Sequence, residues 1–318
     1  MSRHPAHHVR LALATLLVAA GACGDPAAPG PLATPPSLDA ADAPGGPVAR
    51  PTLFEPGVIS TAREEYRVSF TPSGDTVYFA RGDLFFPISQ QATIYYSTYE
   101  RGRWTEPQVA PFSGTYSDID PFVSPDGERI YFSSIRPVDG VQRADADLWM
   151  VERTASGWSE PVHLGNVVNS VYDELYASVS DDGTLYFASS RPGGLGGWDV
   201  WSATLAGGVY GPAVNVGPGV NSPYWDFNPA VSEDGTMLLF TSLNRPGGYG
   251  LGDIYVSRLE SGVWGAAVNL GPVVNTAADE YHPSLSPKEK TLYFLRHTYA
   301  PWLPGDVYRV PLRATAAW

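Results

Sequence analysis

The stretch from Asn221 to Ser257 reads NSPYWDFNPAVSEDGTMLLFTSLNRPGGYGLGDIYVS. It begins with an acidic lead-in and continues with a strand pattern that ends at Ser232, a Glu-Asp-Gly turn and a second strand pattern that ends at Phe240. An Arg-Pro-Gly-Gly loop then leads into a third strand pattern, Asp253-Ile-Tyr-Val. Short β-rich runs separated by glycine and proline turns predict antiparallel strands.

The same unit occurs five times along the chain. The Ser or Thr that ends the first strand marks each copy, at spacings of 53, 56, 52 and 54 residues: Thr71, Ser124, Ser180, Ser232 and Ser286. Each marker opens a tight turn (TPSG, SPDG, SDDG, SEDG and a degenerate SPKE), and a β-rich second strand follows. A fourth strand pattern that starts with an aromatic residue, such as Trp104-Thr-Glu-Pro, completes the first four copies. Four short strands per repeat are typical of a propeller blade.

The fifth copy has no fourth strand pattern of its own. Leu53-Phe-Glu-Pro-Gly-Val, near the start of the repeats, matches the fourth-strand pattern Trp104-Thr-Glu-Pro-Gln-Val. We therefore predict an all-β fold over residues 50–318, a five-bladed β-propeller of four-stranded antiparallel blades. The N-terminal strand from about Leu53 pairs with the last blade and closes the ring, which leaves no exposed sheet edge.

The first 49 residues have a different composition. Residues 1–23 combine Arg3 and Arg10 with the apolar run LALATLLVAA and the small residues before Cys23, a pattern that predicts a processed signal peptide. The position of Cys23, the only cysteine of the chain, resembles the lipobox of bacterial lipoproteins and implies lipidation there; plain secretion is the alternative. Residues 24–49 are rich in proline and alanine without apolar periodicity and are expected to form a disordered tether.

The repeat motifs are similar to those of the TolB-type, WD-repeat-like (Pro-Asp) β-propeller family of bacterial envelope proteins. The motifs that carry this resemblance are Ser-Pro-Asp-Gly, Leu-Tyr-Phe-x-Ser-x-Arg-Pro-Gly-Gly and Gly-x-Asp-Ile-Tyr. The resemblance implies an exported propeller, often a lipoprotein, in the periplasm or at the outer membrane. It implies no particular activity.

Two layers of side chains are expected at the propeller axis. A carboxylate stands six positions before each marker, and these acids are predicted to form a ring at the mouth of the central channel: Glu65, Asp118, Glu174, Asp226 and Glu280. Two residues further on, a varied set is predicted to lie one layer deeper: Arg67, Asp120, Tyr176, Asn228 and His282. Tyr116, Tyr172 and Tyr224 stand eight before their markers, and Trp225 follows the last of them.

These residues support two interpretations of the axis. A funnel of acids, tyrosines and one tryptophan suits a sugar or peptide ligand; the candidate ligand-binding residues are Glu65, Asp118, Asp120, Tyr172, Glu174, Trp225, Asp226, Glu280 and His282. The alternative is structural and predicts that acids and arginines pair from blade to blade and fix the loops. Every blade carries an arginine just after its second strand: Arg81, Arg136, Arg191, Arg245 and Arg296. If each arginine clamps one acid, the sugar pocket at the axis loses its support.

Metal, cofactor and nucleophilic sites are not expected. Asp139, Asp145 and Asp147 lie in one loop, but their spacing fits no twelve-residue calcium loop, and the histidines show no zinc-type spacing. We therefore predict no metal site and no cofactor, although a calcium ion at the axis remains open. The chain has no G-x-S-x-G motif, and its only cysteine lies in the processing site.

A formal net charge of −13 argues against a nucleic-acid partner and confines membrane contact to a lipid anchor at Cys23. The leading expectation is a non-catalytic, lipid-anchored envelope propeller that binds a protein or a cell-wall glycan on its acidic face. The alternative is a carbohydrate-active propeller, a lectin-like binder or a glycosidase, that uses the axial acidic and aromatic pocket. Glycoside hydrolysis is the expected reaction if the protein is an enzyme.

Overall fold

The computed structural model describes residues 49–83, 90–287, 290–297 and 304–315. The predicted signal peptide, Cys23 and nearly all of the predicted tether lie outside these residues. Within them we find no helix that combines the length and the apolar character needed to cross a membrane.

The described residues fold into five antiparallel blades. Each blade starts with a long inner strand, adds a middle and an outer strand, and ends with short edge segments. Blade one contains β2 (Glu64–Phe70), β3 (Thr76–Gly82), β4 (Ala92–Glu100), β5 (Arg103–Trp104) and β6 (Gln108–Val109). Blade two contains β7 (Asp118–Val123), β8 (Arg129–Ser134), β9 (Asp147–Thr154), β10 (Gly157–Trp158) and β11 (Val162–His163).

The other three blades follow the same order. Blade three contains β12 (Glu174–Val179), β13 (Leu185–Ser189), β14 (Asp199–Ala203), β15 (Leu205–Ala206), β16 (Val209–Tyr210) and β17 (Val214–Asn215). Blade four contains β18 (Trp225–Val231), β19 (Met237–Leu243), β20 (Gly252–Glu260), β21 (Val263–Trp264) and β22 (Val268–Asn269). Blade five contains β23 (Asp279–Leu285), β24 (Thr291–His297) and β25 (Asp306–Pro311), which a short 3-10 helix, Leu312–Ala314, follows.

The N-terminal strand β1 (Thr52–Leu53) supplies the outer edge of blade five. Thr52 pairs with Arg309 and Leu53 with Tyr308 in antiparallel register. The sheet order of blade five is therefore β1-β25-β24-β23, and the chain closes the propeller as the sequence predicts. Closure converts two exposed strand edges into one hydrogen-bonded pair.

Buried apolar side chains lie between neighbouring blades. Phe132 of blade two packs in one cluster with Ile94 of blade one, and Phe187 of blade three packs with Tyr131 of blade two. Equivalent clusters join blades three and four, four and five, and five and one. Because each cluster uses residues from two blades, a single blade has no core of its own.

The tight turns have a local cause in the Ser-x-Asp-Gly sequence. In the turn of blade three the Ser180 hydroxyl donates to Asp182 at 2.8 Å, and Gly183 adopts φ +83°. Glycine takes this left-handed conformation without steric cost. We call the side of the propeller with these turns the turn face. The opposite side, with the lead-ins before the inner strands and the loops after the middle strands, is the loop face.

Candidate functional site

The five predicted acids are held inside their own blades. All five are fully buried. Each one contacts the arginine that follows its middle strand: Glu65–Arg81 at 3.1 Å, Asp118–Arg136 at 2.6 Å, Glu174–Arg191 at 3.0 Å, Asp226–Arg245 at 3.6 Å and Glu280–Arg296 at 2.7 Å. Arginine clamps are therefore present in all five blades, but each one pairs residues of a single blade rather than of neighbouring blades.

The rest of each clamp fixes the lead-in of the same blade. In blade five the backbone N–H and hydroxyl of Thr276 donate to Glu280 at 2.9 and 2.7 Å. Arg296 donates to the carbonyl of Val274 at 2.8 Å and covers the ring of Phe294 at 5.3 Å. The carboxylate thereby joins the inner strand, the lead-in and the arginine in one unit.

Burial changes the acidity of these carboxyl groups. It raises the pKa of Glu65, Glu174 and Glu280 to about 7, although the arginines and the Ser or Thr donors oppose the shift. Burial also raises the pKa of Asp118 and Asp226. A raised carboxyl pKa is typical of a general acid, but a general acid must also reach its substrate. These buried groups do not reach the surface.

The varied set, in contrast, meets across the axis. His282 Nδ1 lies 3.1 Å from Asp120 Oδ1 and 3.1 Å from Asn228 Nδ2, so blades two, four and five touch here. The ring of Tyr176 lies 5.5 Å from the ring of His282. Arg67 of blade one donates through Nη1 to the carbonyl of Ala177 in blade three at 2.7 Å.

A β-bulge explains why the two layers differ from the simple alternation that the sequence predicts. The pairing between inner and middle strand shifts register in every blade, for example between Phe227 and Ala230. Four residues of the varied set sit in this bulge with a left-handed backbone: Asp120, Tyr176, Asn228 and His282, with φ of 56°, 65°, 53° and 51°. A bulge re-aims the side chains around it. The acids therefore face their own blade, and the varied set faces the axis.

The two predicted aromatic ligand residues lie on the loop face. Trp225 is half-buried and packs over Gly197, where an added Cβ would come within 2.3 Å of the indole nitrogen. Tyr172 is also half-buried. Trp225 thus serves the contact between blades three and four, and the ligand-binding role of both residues stays a prediction.

A groove on the loop face lies off the axis, between blades one and two. It has a volume of about 630 Å³ and is bordered by Arg63, Asp83, Thr93, Tyr116 and Gln142, among others. Tyr116 is 43% exposed, and Arg136 covers its ring at 5.7 Å from the centroid. Sequence reasoning marked Tyr116 but did not predict the groove, because the groove depends on how two blades pack.

Sequence reasoning also missed three buried asparagines. Asn169, Asn221 and Asn275 each exchange hydrogen bonds with both backbone groups of one outer-strand residue; for Asn221 this residue is Val200, and both distances are 2.8 Å. The Val-Asn pair that recurs before Glu174, Asp226 and Glu280 was the available signal. These residues fix the lead-ins rather than bind a ligand.

The described residues show no cluster of three or more His, Cys, Asp or Glu side chains that could hold a metal ion. Asp145 and Asp147 of the acidic loop both contact Arg143, and Asp147 lies 3.2 Å from His163.

No protein-family model and no curated protein sequence matches this chain. Solved structures do match its fold. An endo-arabinase from Bacteroides thetaiotaomicron aligns with a TM-score of 0.52 and 15% identity over 80% of this chain and 96% of its own. A gluconolactonase from Xanthomonas campestris (TM-score 0.46, 13% identity, 83% and 89% covered) and a Hadza microbial sialidase (0.47, 12%, 81% and 67%) align less well.

The strand order and the similarity to the endo-arabinase define the class of protein as a five-bladed β-propeller. At 15% identity this similarity establishes the fold alone. The TolB-type assignment stays a prediction, since no family model supports it.

Proposed function

We propose that this protein is a carbohydrate-binding propeller that holds an oligosaccharide in the loop-face groove between blades one and two. The groove itself carries the proposal. Its volume of about 630 Å³ falls in the range typical of ligand sites. An exposed tyrosine ring among amide, hydroxyl and charged groups offers stacking to a sugar ring and hydrogen bonds to its hydroxyls.

This proposal keeps the carbohydrate-active alternative derived from the sequence, but it moves the sugar site from the axis to the loop-face groove. The axial acids are buried and bound to arginines, so they do not offer free carboxylates to a sugar. A cell-envelope protein that docks on the loop face could not reach these buried acids either. It would contact other residues of that face.

Binding is better supported than hydrolysis. Glycoside hydrolysis needs two carboxyl groups that flank the bond, one of them with a raised pKa. Glu65 and Glu174 have the raised pKa but not the access. We therefore assign no catalytic residues. The similarity of fold to an endo-arabinase is the reason to assay hydrolysis all the same.

The test is a glycan-array screen of the full chain, followed by calorimetric titration of each hit. Arabinan oligosaccharides and cell-wall fragments lead the panel. We expect a saturable hit that Tyr116→Ala weakens about tenfold or more, the effect of a lost stacking and hydrogen-bonding ring. The matched control is Tyr99→Ala, because Tyr99 is 50% exposed on the outer strand of blade one and outside the groove.

Three outcomes decide between the functions. If Tyr99→Ala and Tyr116→Ala bind the ligand equally strongly, the ligand binds elsewhere. This result would contradict the proposed binding site in the groove. Release of reducing sugar from a bound oligosaccharide would establish a glycosidase. If no glycan of the panel binds, and if the chain captures an envelope protein that Tyr116→Ala no longer captures, a protein partner is favoured.

We also propose export and a lipid anchor at Cys23, which the sequence pattern of residues 1–23 supports. Metabolic labelling with a fatty acid tests this. Label that persists in Cys23→Ser would contradict the anchor at this residue.

A further inference from the structure

The axis opens into a second, smaller cavity on the turn face, on the opposite side of the propeller from the loop-face groove. Its volume is about 60 Å³, several times the roughly 10–15 Å³ that one water molecule requires. Apolar side chains and the turn prolines form most of its wall. The polar side chains that line it are Arg67, Ser69, Ser124, Glu233, Ser284 and Ser286.

Arg67 leaves one edge of its guanidinium group unused. Its exposure is 3%, and Nη1 donates to the carbonyl of Ala177 at 2.7 Å. Nε and Nη2, which point in the same direction from one edge of the group, make no hydrogen bond to the described residues. Such an edge matches the two oxygens of a carboxylate.

The surroundings keep this arginine charged and in place. Burial lowers the pKa of Arg67 to about 10, and the charge of Asp120 opposes that shift, so the group is a cation at neutral pH. The guanidinium lies 5.1 Å over the ring of Phe122. The hydroxyl of Ser284 is buried and makes no hydrogen bond to the described residues, which adds a further donor in the wall of the cavity.

We propose that this cavity is a binding site for a small monocarboxylate, with the Nε–Nη2 edge of Arg67 as its anchor and Ser284 as a second donor. Two acids limit the charge of the ligand, because Glu233 lines the cavity and Asp120 lies near Arg67. A single negative charge is therefore favoured over sulfate or phosphate dianions. The apolar wall accepts the short alkyl part of the ligand.

Sodium propionate is the probe, titrated into the full chain and compared with sodium chloride and sodium sulfate at equal ionic strength. We expect a saturable rise in Tm and a calorimetric binding signal with propionate alone. Arg67→Lys keeps the charge but removes the edge and should weaken binding about tenfold or more. Ser284→Ala should weaken it to a smaller extent, and Arg103→Lys, an exposed arginine on β5, should leave it unchanged.

A crystal structure in propionate completes the test and does not depend on how the variants fold. A carboxylate on Nε and Nη2 of Arg67 confirms the site. Water alone in the cavity, Arg67 turned onto Asp120, or a sulfate in place of propionate would each overturn the proposal. The cavity and the loop-face groove lie on opposite faces, so either proposal can fail without the other.

Discussion

His282 of blade five and Asp120 of blade two meet at the propeller axis, where Nδ1 and Oδ1 lie 3.1 Å apart. Both residues are buried, at 6% and 0% exposure, and both have a left-handed backbone. The contact spans the ring rather than one blade. It therefore links the axis to the stability of the whole closed fold.

Removal of one partner from this contact is expected to cost stability. His282→Ala leaves the buried Asp120 carboxylate without the imidazole that lies 3.1 Å away and should lower the free energy of unfolding by about 3 kcal/mol. The double variant with Asp120→Asn should lose less than the sum of the two single variants, by about 1 kcal/mol. Urea unfolding measures all three.

The control for this cycle is Asp83→Asn. Asp83 pairs with Arg63 at 2.7 Å, but the two side chains are 72% and 46% exposed. An exposed pair contributes about 0–1 kcal/mol, so this variant should unfold almost like the wild type. Strictly additive single and double variants at the axis would contradict the coupling.

The clamped glutamates should make stability depend on pH. The pKa of Glu174 is raised to about 7 in the folded protein, whereas an unfolded glutamate titrates near 4.3. Between these values the folded state binds more protons than the unfolded state. The stabilisation of the folded state by this glutamate is therefore complete below about pH 4.3 and is lost as the pH rises through about 7. The free energy of unfolding falls by up to about 1.4 kcal/mol per pH unit for each such group.

Glu174→Gln should reduce this slope between pH 5 and 7, and urea unfolding at several pH values measures it. Glu106→Gln, an exposed glutamate outside the clamps, should keep the wild-type slope. An equal slope in Glu174→Gln would show that Glu174 titrates as in the unfolded chain.

Ring closure should depend on Phe54 more than on its neighbour. Phe54 is 1% exposed, donates its N–H to the carbonyl of Val307 at 2.8 Å and packs 4.9 Å from the ring of Tyr293. Phe54→Ala should cost about 3–5 kcal/mol in chemical unfolding. Leu53→Ala, at the preceding position in β1 and 36% exposed, should cost below about 1 kcal/mol. Similar losses of stability at both positions would indicate that closure of the propeller does not depend on the aromatic ring of Phe54.

Two glycine loops should tolerate no side chain. A Cβ at Gly196 would lie 1.7 Å from the carbonyl oxygen of Tyr224, and a Cβ at Gly250 would lie 2.0 Å from that of Ala278. We expect Gly196→Ala to cost at least about 1–3 kcal/mol, because the next blade must move away. Gly211→Ala, where the nearest atom lies at 3.6 Å, should melt close to the wild type in calorimetry. A wild-type Tm for Gly196→Ala would show that the two blades separate easily.

Much of the architecture follows from local patterns. The spacing of Ser124, Ser180 and Ser232 predicts the blades, and the match of Leu53 to Trp104 predicts the closing strand. The recurrence of one acid and one arginine in every blade also predicts ion pairs between these sets, although the structure pairs Glu174 with Arg191 of the same blade. Such features repeat in every blade, so one sequence contains several independent copies of the same signal.

The arrangement of side chains at the axis is harder to predict from the sequence pattern. A period of two predicts that Asp118 and Asp120 point the same way, but the bulge at Asp120 sends the first into its own blade and the second to the axis. A left-handed residue inside a strand leaves no clear trace in the sequence when the residue is not glycine.

The sequence by itself determined the β-propeller class, the number of blades and the closing strand, because these depend on periodic hydrophobicity and turn chemistry. Only the tertiary structure decided that the acids are buried, that Asp120 meets His282, and that a groove forms beside Tyr116 while Arg67 keeps an unused edge in a cavity. These properties arise where side chains of blades distant in sequence come together, and their geometry depends on the packing of blades around one axis.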